Sequence, residues 1–105
     1  MAYFVAVSKC PVGIAHTYMA AEKLKKAAEK LGYQTKIETQ GAQGNENTLT
    51  AADIQKADFV ILTADVAIDD VDRFIGKKVL FTTTGEAIKD SATLIADAQN
   101  AEIYT

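Results

Sequence analysis

Two near-continuous apolar runs constrain the fold of this chain more than any other feature. They are Ala2 to Ser8, AYFVAVS, and Ala57 to Ala64, ADFVILTA. Neither run alternates between polar and apolar positions, and this is typical of β-strands that are covered on both faces. Strands of that kind occur in parallel sheets with helices packed on either side. The two runs therefore predict a parallel sheet.

The remaining segments supply further strands. Tyr33 to Thr39, YQTKIET, alternates more strongly and predicts a strand nearer an edge, and Lys78 to Thr83 predicts a fourth strand. Apolar residues recur at helical spacing from Ile14 to Leu31, and Gly32 follows where a C-terminal cap is expected.

Two further helices are expected. Leu49 to Lys56 predicts a short helix, and Thr83 with Glu86 can form a capping box for a helix that runs to about Asn100. With right-handed crossovers, this order predicts a three-layer αβα open sheet of four parallel strands, order 2-1-3-4, with flanking helices. The long connections Gly41 to Thr48 and Asp65 to Gly76 are unusual enough to suggest function.

Length and composition limit the classes of protein. The chain has 105 residues, of which 49% are hydrophobic, so we expect one domain over residues 1–105 with a single modest core. A net charge of -3 argues against general nucleic-acid binding. One cysteine cannot form an internal disulfide, and with one histidine it cannot build an ordinary zinc site, so we expect no metal, no cofactor and a reducing cytoplasm.

No membrane or export segment is expected. The longest apolar stretch, Phe59 to Ile68, is interrupted by Asp65 and is shorter than the roughly 20 residues of a spanning helix. The N-terminus lacks a signal-peptide pattern. We therefore expect a soluble chain, monomeric as an isolated domain.

The only cysteine, the only proline and the only histidine lie together in Val7 to Leu24, VSKCPVGIAHTYMAAEKL. Ligands of open parallel sheets bind beyond the carboxyl ends of the strands, where the strand order reverses, and Cys10 directly follows the first strand. The backbone N–H groups of Gly13 to Thr17, at the positive end of the helix dipole, would bind an anion such as phosphate. The same field favours thiolate, so Cys10 is a candidate nucleophile.

Each of these residues also has a structural interpretation. A lone cysteine is often an inert buried side chain. Pro11 and Gly13 are ordinary turn residues, His16 could be a surface side chain, and Thr17 could bind only the local backbone. The position of Cys10 after the first strand favours the nucleophile, whereas the role of Thr17 stays open.

Three segments of the chain form a combined pattern. They are CPVGIAHTYMAAEKL, ETQGAQG (Glu38 to Gly44) and LTAADIQKADFVILTADV (Leu49 to Val66). Together they resemble the enzyme IIB domain of the fructose-type bacterial sugar phosphotransferase system, and the resemblance covers almost the whole chain. The family's loop usually reads CPTGIAHT. Val12 replaces the threonine and removes one hydroxyl donor, but it leaves the backbone donors and the nucleophile in place.

The resemblance implies a phosphoryl relay at the inner face of the membrane. Cys10 would accept phosphate from a phosphohistidine of the IIA component and donate it to a sugar, fructose or fructose-like, held by the membrane-embedded IIC component. His16 would be a rim or activating residue. The loop residues around the phosphate would be Pro11, Val12, Gly13, Ile14, Ala15, His16 and Thr17. A thiolate suits this role because it is both a strong nucleophile and a good leaving group.

Two alternatives remain beside the relay. A low-molecular-weight tyrosine phosphatase has C-x5-R, but His16 stands where that arginine would be, and Pro11, the only proline, cannot supply an Asp-Pro acid. The other alternative is a non-catalytic phosphate-binding module. A thiol oxidoreductase is excluded because it needs a second cysteine.

The first predicted helix also carries a group of lysines, which could steer an acidic surface of IIA. They are Lys23, Lys25, Lys26 and Lys30. Glu22 with Lys26 and Lys25 with Glu29 have i,i+4 spacing, so a solvated helix face is the alternative.

Overall fold

The computed structural model describes residues 2–9, 14–41 and 44–105, with the backbone alone for residues 14–16. The strands are Tyr3–Lys9 (β1), Gln34–Gly41 (β2), Gly44–Glu46 (β3), Phe59–Ala64 (β4) and Val79–Thr82 (β5). The helices are Ile14–Leu31 (α1), Ala51–Lys56 (α2) and Thr84–Ala98 (α3), with a short 3-10 helix at Val71–Phe74.

The strands form one mostly parallel sheet in the order β3-β2-β1-β4-β5. The prediction of four strands was wrong, because a fifth, β3, adds to β2 in antiparallel register and pairs Thr39 with Glu46. This strand lies in a connection that we expected to be a loop. Its three residues are all exposed and none has a large apolar side chain, so its hydrogen bonds to β2, rather than any apolar pattern, define it as a strand. The parallel strands run β2-β1-β4-β5, with β1 in the centre.

Side chains alternate along β1 between two apolar cores. Phe4 and Ala6 pack with α1 and α3, whereas Val5 and Val7 pack with α2 and the 3-10 helix. All four side chains are fully buried. The sheet is therefore covered on both faces, as the unbroken apolar pattern predicted.

Helix α1 follows the predicted periodicity. Ala20, Leu24 and Ala28 are fully buried in the core shared with Phe4. Gly32 adopts φ +82°, and the Tyr33 N–H donates to the Ala28 carbonyl at 2.8 Å. This bond and the one from Gly32 N–H to the Glu29 carbonyl form a Schellman cap, which confirms the predicted end of the helix.

Capping residues set the starts of the other two helices. Thr50 and Asp53 form a reciprocal capping box at α2. At α3, the Thr83 hydroxyl accepts from the Glu86 N–H, which is one of the two hydrogen bonds of the predicted capping box, and the helix has non-helical backbone angles at Asp90. Among the described residues, no helix is long and apolar enough to cross a membrane.

Candidate functional site

The carboxyl end of β1 and the first turn of α1 are held together by a buried hydrogen bond. The Ser8 hydroxyl donates to the Thr17 carbonyl at 2.8 Å, and both residues are fully buried. β1 is the central strand, with β2 on one side of it and β4 and then β5 on the other. The strand order therefore reverses at β1, and its carboxyl end is the switch point that was predicted to bind ligands.

The predicted nucleophile loop enters the described part of the structure only at its end. Cys10, Pro11, Val12 and Gly13 lie outside the described residues, so their roles stay predictions. The backbone of Ile14, Ala15, His16 and Thr17 forms the first turn of α1. A helix therefore begins next to the end of β1, as an anion site made of backbone N–H groups requires.

A buried carboxylate lies on the α2 side of the sheet. Glu38 is fully buried in β2, and the Arg73 guanidinium donates to both of its oxygens, at 2.9 and 2.7 Å. The Leu49 N–H donates to the same carboxylate at 2.9 Å. Burial raises the pKa of Glu38, but hydrogen bonds from Arg73, Gln40 and Leu49 outweigh it and hold the pKa below its usual value.

Gln40 connects this carboxylate to the Asp65–Gly76 connection. Its side-chain Nε2 donates to Glu38 at 2.7 Å and to the Asp69 carbonyl at 3.3 Å, while its Oε1 accepts from the Asp69 N–H at 3.0 Å. The Asp69 carboxylate in turn lies 3.3 Å from the Lys9 ammonium. A chain of polar contacts therefore runs from Arg73 to the residue before Cys10.

A second polar contact lies on the α1 side of β2. The Tyr18 hydroxyl donates to the Glu46 carboxylate at 2.9 Å, and this bond, followed by desolvation, raises the pKa of Tyr18. A Cβ atom on Gly41 would lie 3.3 Å from the Tyr18 hydroxyl oxygen. Tyr18 therefore fastens the β2-β3 hairpin to α1, and the absence of a side chain at Gly41 leaves room for it.

Asp65 fixes the start of the connection that follows β4. Its N–H donates to the Lys9 carbonyl at 3.2 Å. Its carboxylate accepts from the Thr84 N–H at 3.2 Å and from the Thr84 hydroxyl at 2.7 Å. The ends of β1 and β4 and the first turn of α3 are thus held in one cluster.

Comparison with known proteins decides the family. Residues 5–97 match the family model described as "PTS system, Lactose/Cellobiose specific IIB subunit". The chain belongs to this IIB family of the sugar phosphotransferase system. The IIB chain is therefore a protein of the sugar phosphotransferase system.

Curated relatives agree with the IIB assignment. The chain is 51% identical over 98 residues to the "PTS system fructose-specific EIIB'BC component" of Rhodobacter capsulatus. The aligned region covers 93% of this chain and 17% of that protein. It is 46% identical over 96 residues to the "PTS system fructose-like EIIB component 2" of Escherichia coli K12, covering 91% of each. It thus spans about a sixth of the first relative.

Solved structures give the same result. A domain from the fructose-specific iiabc component of Borrelia burgdorferi superposes with a TM-score of 0.94 at 45% identity and covers 98% of both chains. A domain of fruA from Bacillus subtilis has a TM-score of 0.90 at 41% identity, covering 98% of this chain and 100% of that one.

The polar network around Glu38 was missed by the sequence interpretation of this IIB chain. The segment ETQG contributed only to the family resemblance, and no role was predicted for Glu38 or Gln40. One signal was available, because Arg73 is the only arginine beside ten lysines. Arginine binds a carboxylate through two parallel hydrogen bonds, so a single arginine is a candidate partner for a buried acid.

The lysines of α1 lie away from the start of that helix. Lys23 is nine residues after Ile14, about 13 Å along the axis. Lys26 lies 3.3 Å from Glu22, with both side chains about two-thirds exposed. This is one of the two i,i+4 pairs expected for a solvated helix face, and the steering of IIA by the lysines stays a prediction.

Within residues 2–9, 14–41 and 44–105, no group of three or more His, Cys, Asp or Glu side chains is placed to hold a metal ion.

Proposed function

We propose that Cys10 is the phosphoryl carrier of this IIB chain. Its thiolate attacks the phosphorus of a phosphohistidine on the IIA component, an S–P bond forms, and the N–P bond breaks with the histidine as leaving group. A hydroxyl of the sugar bound by IIC then attacks the same phosphorus, an O–P bond forms, the S–P bond breaks with the thiolate as leaving group, and the hydroxyl proton passes to solvent. Family membership over residues 5–97 carries this proposal.

The backbone of α1 supports this chemistry. Phosphoryl transfer has a loose transition state whose negative charge lies on three equatorial oxygens, so fixed N–H donors provide most of the stabilisation. The first turn of α1 lies beside the end of β1, and the Ser8 to Thr17 hydrogen bond keeps it there. The loop from Cys10 to Gly13 would supply further donors.

His16 is proposed as a rim residue of the phosphate seat. It is the third residue of α1, on the turn that begins four residues after Cys10 in the sequence. A cationic or hydrogen-bonding imidazole there would favour the thiolate before transfer and the phosphate dianion afterwards, with less hold than arginine. A weaker hold suits a carrier that must release its phosphate.

The relatives' names support the proposed partners and substrate. Fructose-specific and fructose-like components are among the most similar proteins, so fructose or a fructose-like sugar is the proposed substrate. We propose that residues 1–105 act as one IIB domain on the cytoplasmic face of the membrane. IIA is the phosphate donor, and IIC carries the sugar.

Phosphorylation by the upstream carriers tests the proposal. Incubation with phosphoenolpyruvate and those carriers should add one phosphoryl group to the parent chain, and Cys10→Ser should abolish the addition. A label that survives on His16 would overturn the assignment. Turnover of p-nitrophenyl phosphate would indicate a phosphatase, and no covalent label at all would indicate a binding module.

A further inference from the structure

We propose that Gln40 is a positioning residue for phosphoryl transfer, acting through Asp69 on the residue that precedes Cys10. The inference rests on the proposed function of Cys10. We refer to Glu38, Gln40, Asp69 and Arg73 as the Gln40 clamp. The clamp joins β2 to the Asp65–Gly76 connection, and that connection contacts Lys9 at two points.

The amide of Gln40 is held from both sides. Its Nε2 donates to the Glu38 carboxylate and to the Asp69 carbonyl, and its Oε1 accepts from the Asp69 N–H. Gln40 is 3% exposed. An apolar side chain of the same length could fill this space, but it would leave the Asp69 N–H without its partner. The specific contribution of Gln40 is therefore to fix the backbone at Asp69.

Glu38 is itself fixed, so the clamp has a rigid base. Two hydrogen bonds from Arg73 and one from the Leu49 N–H orient its carboxylate in the interior. Glu38 and Gln40 are separated by one residue on β2, and they pair in register with Val7 and Lys9 of β1. The clamp thus lies on the same face of the sheet as the Lys9 side chain.

Lys9 is the point where the clamp reaches the nucleophile loop. The Asp69 carboxylate lies 3.3 Å from its ammonium, and the Asp65 N–H donates to its carbonyl at 3.2 Å. Cys10 is the next residue in the sequence. Releasing Asp69 would free one of these two contacts, and a displacement of about 1 Å at a reacting group is enough to slow a transfer step.

Two variants and a control test the inference. Gln40→Met keeps the side-chain length and removes every hydrogen bond of the amide, whereas Asp69→Ala removes only the contact with the Lys9 ammonium. Lys36→Met is the matched control, because it breaks the 2.7 Å ion pair with Asp53 near the opposite end of β2. Single-turnover phosphorylation is measured across IIA concentrations, with stability checked by thermal unfolding.

Positioning predicts a slower step at saturating donor. Gln40→Met should transfer about 10-fold to 100-fold more slowly than the parent, with little change in the IIA concentration for half-maximal rate. Asp69→Ala should show a smaller loss, and Lys36→Met should match the parent. The inference is overturned if a folded Gln40→Met chain transfers at the parent rate. It is also overturned if the variant changes only the IIA concentration that gives the half-maximal rate.

The Asp69→Ala variant and the alkylation of Cys10 distinguish failure of the inference from misfolding and from failure of the proposed function. If Gln40→Met does not fold, Asp69→Ala decides, because the Asp69 carboxylate is exposed and its loss should leave the fold intact. The parent rate in that variant would overturn the inference. Alkylation of Cys10 by iodoacetamide needs no phosphoryl donor. A parent chain without a phosphoryl label contradicts the proposed function, whereas equal alkylation rates in the parent and Gln40→Met contradict the clamp.

Discussion

Arg73 and Glu38 are 35 positions apart in the sequence, yet the guanidinium of one donates to both carboxylate oxygens of the other. The Glu38 side chain is 1% exposed, so water cannot replace its partners. Removing one member of a buried ion pair leaves the other charge without compensation and costs more than the pair itself contributes.

Arg73→Met should therefore lower the free energy of unfolding by about 3 to 5 kcal/mol, because Glu38 would remain buried and charged without its cation. Urea denaturation measures the loss. Adding Glu38→Leu should recover part of it, since the uncompensated carboxylate is then gone. Lys26→Met, which breaks an exposed pair, should cost less than about 1 kcal/mol. Equal losses for Arg73→Met and Lys26→Met would contradict this reasoning.

The ion pair of Lys36 and Asp53 predicts a pH dependence of stability. The hydrogen bond from Lys36, followed by that from the Thr50 N–H, lowers the pKa of Asp53 from 3.8 to about 2. A carboxyl group whose pKa is lower in the folded state than in the unfolded state stabilises the fold at pH values above the unfolded pKa. This contribution is lost as the pH falls through the folded pKa. The stability difference between the parent and Lys36→Met should thus shrink from about pH 4 to about pH 2.

Equilibrium unfolding at a series of pH values measures that difference. Lys26→Met serves as the control, because its partner Glu22 is exposed. A constant difference between the parent and Lys36→Met over the acid range would show that the Asp53 pKa does not depend on Lys36.

Gly41→Ala should destabilise the chain by about 1 kcal/mol. The added Cβ would lie 3.3 Å from the Tyr18 hydroxyl oxygen, tighter than an ordinary contact, and would displace the bond to Glu46. In a Tyr18→Phe background the same change should cost less, since the hydroxyl is absent. A double-mutant cycle of thermal unfolding measures the coupling. Additive losses would place the cost of Gly41→Ala elsewhere.

His16→Ala should raise the pKa of Cys10 and slow phosphorylation without lowering stability, if His16 is the rim of the phosphate seat. His16→Arg should retain phosphate for longer, because a guanidinium binds phosphate through two hydrogen bonds. The rate of Cys10 alkylation as a function of pH measures the first effect. Identical curves for the parent and both variants would assign the activation to the helix N-terminus alone.

The elements that sequence analysis predicted correctly depend on local patterns. The apolar run of β1, the spacing of α1 and the position of Gly32 each concern residues that are neighbours in the chain, so their structure follows from short-range rules. The strand β3 was not predicted. Its residues GNE carry no apolar pattern, and pairing with β2 alone defines it.

The candidate site also has a part that local sequence patterns predicted and a part that depends on contacts between distant residues. The sequence directed attention to the end of β1 and the start of α1, and the structure has these two elements side by side. The contacts of Glu38 with Arg73 and of Asp65 with Thr84 join residues 35 and 19 positions apart. Distances of this kind depend on how the crossovers pack, so periodicity cannot predict them.

The three exposed residues of β3 have a consequence for association between molecules. A sheet edge with free N–H and C=O groups is a template on which another chain can add a strand, and short polar edge strands limit such growth. β3 covers only Thr39, Gln40 and Gly41 of β2. On the other side, Ile103 bridges Lys78 just before β5. β3 and this bridge thus cover part of each border of the sheet, which shortens the edge on which a strand of another molecule could add at high concentration.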